Sequence, residues 1–541
     1  MKKARVLALL IMLAMVIALV AACGPTTDPA TGGGTPTGTT PDAPAGTQPG
    51  TESGAAPTPD APVTTGGVMR LATTAEGANP IGVPWLVYGV DNVLMVPTSE
   101  TLFIQTKAGV IYPLLAESYD IELDNNRIVI TVRQGVEFHD GSAWNADVAV
   151  WNLTNSMEVG MISNAITNIV HLSEYEFALE FETFSNDILP SLTTHTNAQI
   201  SRVAFEANGE DWARENPVGT GPFILERYIR GAVLSFVANP NYWQEGYPLL
   251  DGVEFHFIRD AMTQNIAIQA DGDQSINVLQ TTSGEQISQL REMGFSIISS
   301  PMGTMALIPS SENPDSPFAI QAVREAVSYA INREAIVAAR GFGVWTPGHQ
   351  MVAEAFPAAR LPDSYNASFD PDRARELLAE AGFPNGFSTE IFAQPGMSDR
   401  DALVAIQSML AAVGITAELH FPDGGGYSAI RRDWEGLLFQ HVRALPQIDR
   451  TFNFFFGQTQ TIYPNLWAPD EMEDLIVGAA RSPDNTQYLQ GMARLANEHM
   501  LVIPVHNQMD TWVTRTYVHN GGFTIWDAGT NFRPGNAFIS E

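Results

Sequence analysis

Apolar positions alternate with polar ones in Asn126-Arg127-Ile128-Val129-Ile130-Thr131-Val132-Arg133 and again in Val233-Leu234-Ser235-Phe236-Val237, which predicts strands buried on one face. Elsewhere the period is helical. In the segment 322–331, Val323, Val327, Ala330 and Ile331 share a face, and after Asp370-Pro371 the inward set is Leu377, Leu378 and Ala381. Asp370 reads as an N-cap with proline at the first helical position, and Gly382 as the stop. Between the first strand and the next helix stands Phe138-His139-Asp140-Gly141, whose Asp-Gly pair suits a tight turn. Asn145, with Asp147 close behind, caps a helix through Val148 and Trp151. His139 has no nucleophile beside it and reads as a turn histidine bonded locally. Strands and helices mixed without a fixed repeat predict an α/β protein whose sheets are covered by helices.

The N-terminus is of another kind. A basic head, Met1-Lys2-Lys3-Ala4-Arg5, precedes an unbroken apolar run from Val6 to Ala22 and then Cys23, the only cysteine. The run is short for a membrane span and ends in small residues, as a cleaved export signal does. Val20-Ala21-Ala22-Cys23 resembles the bacterial lipobox, which implies a signal peptide over 1–22 and a lipid on Cys23. With one thiol, disulfides within the chain are excluded. Residues 23–67 are mostly Thr, Pro, Gly, Ala and Asp without an aromatic residue, too little apolar surface to offset ordering entropy, so a tether is expected.

Charge narrows the partners. The chain has 28 basic and 60 acidic residues. Removing Lys2, Lys3 and Arg5 with the leader leaves 25 against 60, a net charge of −35. Such a field argues against nucleic acid and anionic lipid surfaces as partners. Enzyme signatures are missing as well: there is no Gly-x-Ser-x-Gly, His-Glu-x-x-His or Gly-x-x-x-x-Gly-Lys, and Val218–Phe223 does not continue as a dinucleotide fingerprint. His499 and His506 lack zinc spacing and a thiol partner. No catalytic residue, cofactor or dedicated metal site is expected.

Six segments in order carry a resemblance: Tyr112-Pro113-Leu114-Leu115-Ala116-Glu117-Ser118-Tyr119; Val132 to Gly141 with Ala146-Asp147-Val148; Val218-Gly219-Thr220-Gly221-Pro222-Phe223; Asn239-Pro240-Asn241-Tyr242-Trp243; Val323 to Arg333; and Ala379 to Gly386. Together they resemble the solute-binding proteins of ABC importers, family 5, the oligopeptide- and dipeptide-binding type. The resemblance implies a two-lobed periplasmic-binding-protein-like fold of type II, with a ligand cleft between lobes joined by a hinge. Mapped on this chain, lobe I comprises 68–99, 215–308 and 512–541, an inserted subdomain spans 100–214, and lobe II spans 309–511.

Cargo is less determined. In peptide-binding members, an aspartate soon after a tryptophan captures the peptide amine, and the comparable stretch here is Leu438 to Arg450. Neither residue falls in its place: Asp449 comes several positions late, and Arg443 stands where a negative charge is wanted. The Arg443 fork suits a carboxylate or sugar hydroxyls, or a salt bridge with Asp449 or a nearby acid. The resemblance and these residues make Arg443, Trp345, Asp449, His441, Phe456, Met305 and Tyr88 the candidate ligand contacts. The stretch from Asn453 to Trp467 mixes rings with amides, suited to sugar faces, to peptide side chains or to core packing. The expected function is a monomeric, lipid-anchored extracytoplasmic receptor handing oligopeptides to an ABC permease and its ATPase subunits. The alternatives are the same fold with an oligosaccharide, metal chelate or other small solute, and a surface sensor or adhesion protein without a transport role.

Overall fold

The computed structural model describes residues 64–73, 81–87, 93–106, 109–272, 275–352, 356–365, 368–443, 447–458, 462–523 and 533–540. The export signal, Cys23, most of the tether and Tyr88 lie outside the described residues. No helix among those described is long and apolar enough to cross a membrane.

Among the described residues nineteen strands are formed: β1 Val68–Thr73, β2 Phe103–Gln105, β3 Ile111–Pro113, β4 Ala116–Glu122, β5 Arg127–Val132, β6 Ile166–Ser173, β7 Glu176–Phe181, β8 Phe223–Ile229, β9 Val233–Ala238, β10 Gly252–Phe257, β11 Val278–Thr281, β12 Ser296–Pro309, β13 Thr346–Pro347, β14 Phe387–Ala393, β15 Ile415–His420, β16 Leu437–Arg443, β17 Ile503–Thr514, β18 Val518–His519 and β19 Phe538–Ile539. Eleven form one large sheet in the order β15-β14-β16-β12-β17-β11-β1-β10-β9-β8, with β13 added beside β17. A second sheet, β4-β5-β7-β6, packs with the helix Ala146–Glu158 around Ile128, Ile130, Trp144 and Phe177.

The alternating segments are strands to within a residue of their expected bounds, as β5 and β9. Local capping explains the helices between them. Asn145 accepts from the Val148 N–H at 3.1 Å to open Ala146–Glu158, and Asp370 accepts from the Arg373 N–H at 3.0 Å to open Pro371–Glu380. Gly382 ends the latter at a φ of 92°, where a side chain would be strained. The Ala322–Ile331 pattern is the helix Gln321–Ala330, with Val323, Val327 and Ala330 buried. His139 is not bonded locally as expected: its Nε2 lies 2.9 Å from the Gly221 carbonyl oxygen, 82 residues along the chain, so it ties its turn to the 219–221 segment.

Two long strands place the site. β12 and β17 run antiparallel from Ser296 opposite Thr514 to Leu307 opposite Ile503. At one end β17 takes β11 on its free side, opposite residues 511–514; at the other, β12 takes β16 along residues 303–309. This pair therefore joins two halves of the sheet. Its register shifts between Pro301 and Gly303 and again between Met305 and Ala306, as at β-bulges, close to where the halves meet.

Candidate functional site

Residues directly opposite in an antiparallel ladder point to the same face. Met305 of β12 opposes His441 of β16 on one side and His506 of β17 on the other. Two positions along, Gly303 opposes Arg443 and Gln508. One face of the sheet thus carries the row His506, Met305, His441 and next to it the row Gln508, Gly303, Arg443. Asp510 continues that face of β17 by alternation. Gly303 has no side chain, so the second row leaves a gap over the backbone between an amide and a guanidinium.

Surroundings set the charge of each group. Trp345 lies flat on His506, with ring centroids 4.0 Å apart and planes at 16°. The strand that follows it, β13, pairs with His506 and Asn507 and holds the indole there. Burial holds the His506 imidazole down at a pKa of about 3, with a further push from His441 against the pull of Asp399. Burial, then the neighbouring Arg443, lowers His441 to about 4. Both rings are therefore neutral at pH 7. His441 Nε2, His506 Nδ1 and Gln508 Oε1 are buried and have no hydrogen-bond partner among the described residues. Side chains more than nine-tenths buried rarely leave polar atoms so, unless a water or ligand completes them.

Arg443 is exposed by surface area, yet withdrawal from water still lowers its pKa, against Asp510, which raises it. A side chain in a recess meets both conditions: protein crowds it while one side stays open. Asp510 is buried and accepts a 2.9 Å bond from Gln280 Nε2. The recess presents one cation, one anion and neutral imidazoles.

Of the residues singled out in the sequence, Arg443, His441, Met305 and Trp345 come together on this face, with Met305 fully buried beneath it. Phe456 does not join them. It packs with Val442, Phe452 and Phe455 in the core on the opposite face. Asp449 is buried in the first turn of the helix Ile448–Phe456; burial raises its pKa, and nearby Asp187 adds to the rise. The ring-and-amide stretch turns mostly inward: Phe455 stacks on Tyr463 at 4.8 Å and 12°, and Trp467 meets His499 edge-on. His506, Gln508 and Asp510 were missed as ligand contacts. Alternation gave little signal for them, because Asn507, Thr511 and Thr514 of the same strand are polar too and Ile503–Thr514 does not separate into one polar and one apolar face.

Among the described residues, one group of three has metal-ligand types, Glu390, Glu418 and His420. It lies on β14 and the edge strand β15, where His420 Nε2 is 3.2 Å from Glu390 and 3.8 Å from Glu418, and the two acids oppose each other across the strands.

Comparison with known proteins places this geometry. The model of "Bacterial extracellular solute-binding proteins, family 5 Middle" matches residues 110–465. The glutathione-binding protein GsiB of Salmonella typhi is 32% identical over 329 residues, which are 58% of this chain and 62% of that protein. Among solved structures, HbpA2 from Haemophilus parasuis superposes with a TM-score of 0.76 at 20% identity, covering 88% of this chain and all of the other. The periplasmic binding protein DppA from Helicobacter pylori, in complex with the peptide STSA, gives 0.69 at 20% identity over 88% of this chain and 99% of its own. These structures establish the periplasmic-binding-protein fold expected from the sequence. The chain belongs to family 5 of the bacterial extracellular solute-binding proteins.

Proposed function

We propose that this protein is the lipid-anchored, extracytoplasmic receptor of an ABC importer, and that its cargo is a short zwitterionic peptide, with glutathione-like tripeptides the first to try. Lobe I (68–99, 215–308 and 512–541, carrying the inserted subdomain 100–214) and lobe II (309–511) close about β12 and β17. Cys23 carries the lipid, and residues up to 67 let the body range near its permease. Closure over cargo then presents a changed surface to that permease.

The observation that carries the cargo assignment is the pairing of Arg443 with Asp510 beside the side-chain-free step at Gly303. A short peptide brings a carboxylate for the guanidinium and an ammonium for the acid, while the buried imidazoles and Gln508 Oε1 meet its amides. An uncharged sugar brings no charge to either ion, and the rings that would flank it are stacked on each other. The relative named for glutathione binding supports the same size of cargo.

Calorimetry with reduced glutathione, di- and tripeptides and maltotriose tests the assignment. Peptide binding is expected, with Arg443→Ala weakening it by about 1.5–3 kcal/mol, the range for a hydrogen bond to a charged group. Binding of maltotriose but no peptide would overturn the cargo. Unchanged peptide uptake after deletion of the gene would overturn the transport role in favour of a sensor.

A further inference from the structure

A contact far along the chain from the ligand face bears on how long cargo stays bound. Asn186 lies between β7 and the short helix Ile188–Ser191, in the inserted subdomain. Its backbone N–H donates to the Ala480 carbonyl at 2.7 Å, and its side-chain amide donates to the carbonyls of Ala479, at 2.7 Å, and Ser482. All three acceptors stand at the C-terminal end of the helix Glu471–Arg481, in the second lobe. The last carbonyls of a helix have no partner of their own and carry its negative partial charge. One asparagine therefore caps a helix from nearly 300 residues away.

Asn186 is held ready for this. The adjacent Asp187 carboxylate accepts from Ser185 Oγ at 2.5 Å and Ser163 Oγ at 2.8 Å, which braces the turn from within its own subdomain. A second bridge joins the same two parts, from Gln447 Nε2 to Gln105 Oε1 at 2.6 Å. Against these stands the repulsion between Asp187 and Asp449. Of these four hydrogen bonds, Asn186 supplies three.

We propose that Asn186 is the positioning residue of closure, a latch that caps the lobe II helix only when the lobes meet and so sets the residence time of the cargo. The inference rests on the two-lobe reading above. Asn186→Ala removes two donors and keeps the backbone one; Asn186→Asp also sets a negative charge against the carbonyl end of the helix.

The test uses the full mature chain carrying Cys23→Ser, with donor and acceptor dyes on Leu172→Cys and Gln490→Cys, both at exposed positions. Single-molecule energy transfer is recorded without ligand and with reduced glutathione. Two exchanging distances are expected, with Asn186→Ala lowering the closed-to-open ratio about tenfold and Asn186→Asp about thirtyfold, each lost neutral hydrogen bond being worth a factor of roughly 2 to 13. Asn186→Ser, which restores one donor, should recover part of the loss. The melting temperature of the ligand-free variants should not move, which a merely structural role would not allow. Exchange that all three variants leave untouched overturns the latch and leaves lobe closure standing. A single fixed distance in the unsubstituted protein overturns lobe closure itself, and the latch with it. Should Asn186→Asp fail to fold, the alanine and serine variants give the same reading.

Discussion

Replacing Arg333 with methionine should cost the protein about 3–5 kcal/mol, much of what a folded domain has in hand. Arg333 is only 1% exposed, and among the described residues no acid is bonded to it. Its guanidinium is spent on oxygens. Nε donates to Gly348 at 2.9 Å and Pro504 at 2.8 Å, Nη1 to Ser328 at 3.0 Å and Ile331 at 3.2 Å, and Nη2 to the Ser328 hydroxyl at 2.9 Å. Burial lowers its pKa to about 10, so it remains a cation at pH 7. The carbonyl dipoles at the end of the helix Gln321–Ala330 balance that charge.

Methionine fills similar volume but removes these bonds, at about 1–3 kcal/mol for each buried acceptor left without a partner, the Ser328 carbonyl keeping a bond from the Ile331 N–H. The consequence reaches the face that carries His506 and Arg443. Gly348 lies three residues after Trp345 and Pro504 two before His506, so Arg333 ties together the two segments whose rings stack. Urea unfolding should show the midpoint falling at an unchanged slope. Arg333→Lys, which keeps the charge but not the fork, should fall between. A loss below about 1 kcal/mol for methionine would mean that water reaches these carbonyls.

The sequence made local structure readable where one residue decides it. Asn145, Asp370 and Gly382 act on their own turn, and a cap depends on nothing distant. Alternation likewise gave β5 and β9. The family resemblance led to Arg443, His441, Met305 and Trp345 because they fall in stretches the family uses. What alternation within one strand could not give is which strands become neighbours. His506, Gln508 and Asp510 join His441 and Arg443 only because β12 lies between β16 and β17, an arrangement spanning more than 200 residues. Phe456 shows the converse. Its ring suits a ligand as well as a core, and only the face taken by Val442 decides between them. Asn186 gave no signal at all, since a cap supplied from another part of the chain leaves no local pattern.

Lowering the pH from 7.5 to 4.5 should remove stability that His441 and His506 provide while neutral, about 2 kcal/mol for each at 1.36 kcal/mol per pH unit. The folded-state values, about 4 and about 3, lie below the ordinary 6.5. Between 6.5 and about 4 the unfolded chain therefore binds protons that the folded one refuses, and stability declines as pH falls through that window. Above 6.5 the contribution is fully present. Other groups pull the opposite way: protonation relieves the repulsion of a chain with a net charge of −32, and buried Glu100, whose pKa burial raises, favours the folded state as acid is added. The histidine effect is isolated by difference, with melts of the unsubstituted protein and of the His441→Gln, His506→Gln double variant taken across the range. The unsubstituted protein should lose about 4 kcal/mol relative to the variant on going from pH 7.5 to 4.5. Parallel profiles would show that both imidazoles take up protons in place. Because the rings stay neutral down to about pH 5, Arg443 is the cation of the recess throughout that range. Cargo affinity should then hold nearly constant from pH 8 to 5.5 while the histidine contribution to stability declines, so the charge of the recess and the stability of the fold answer acid separately.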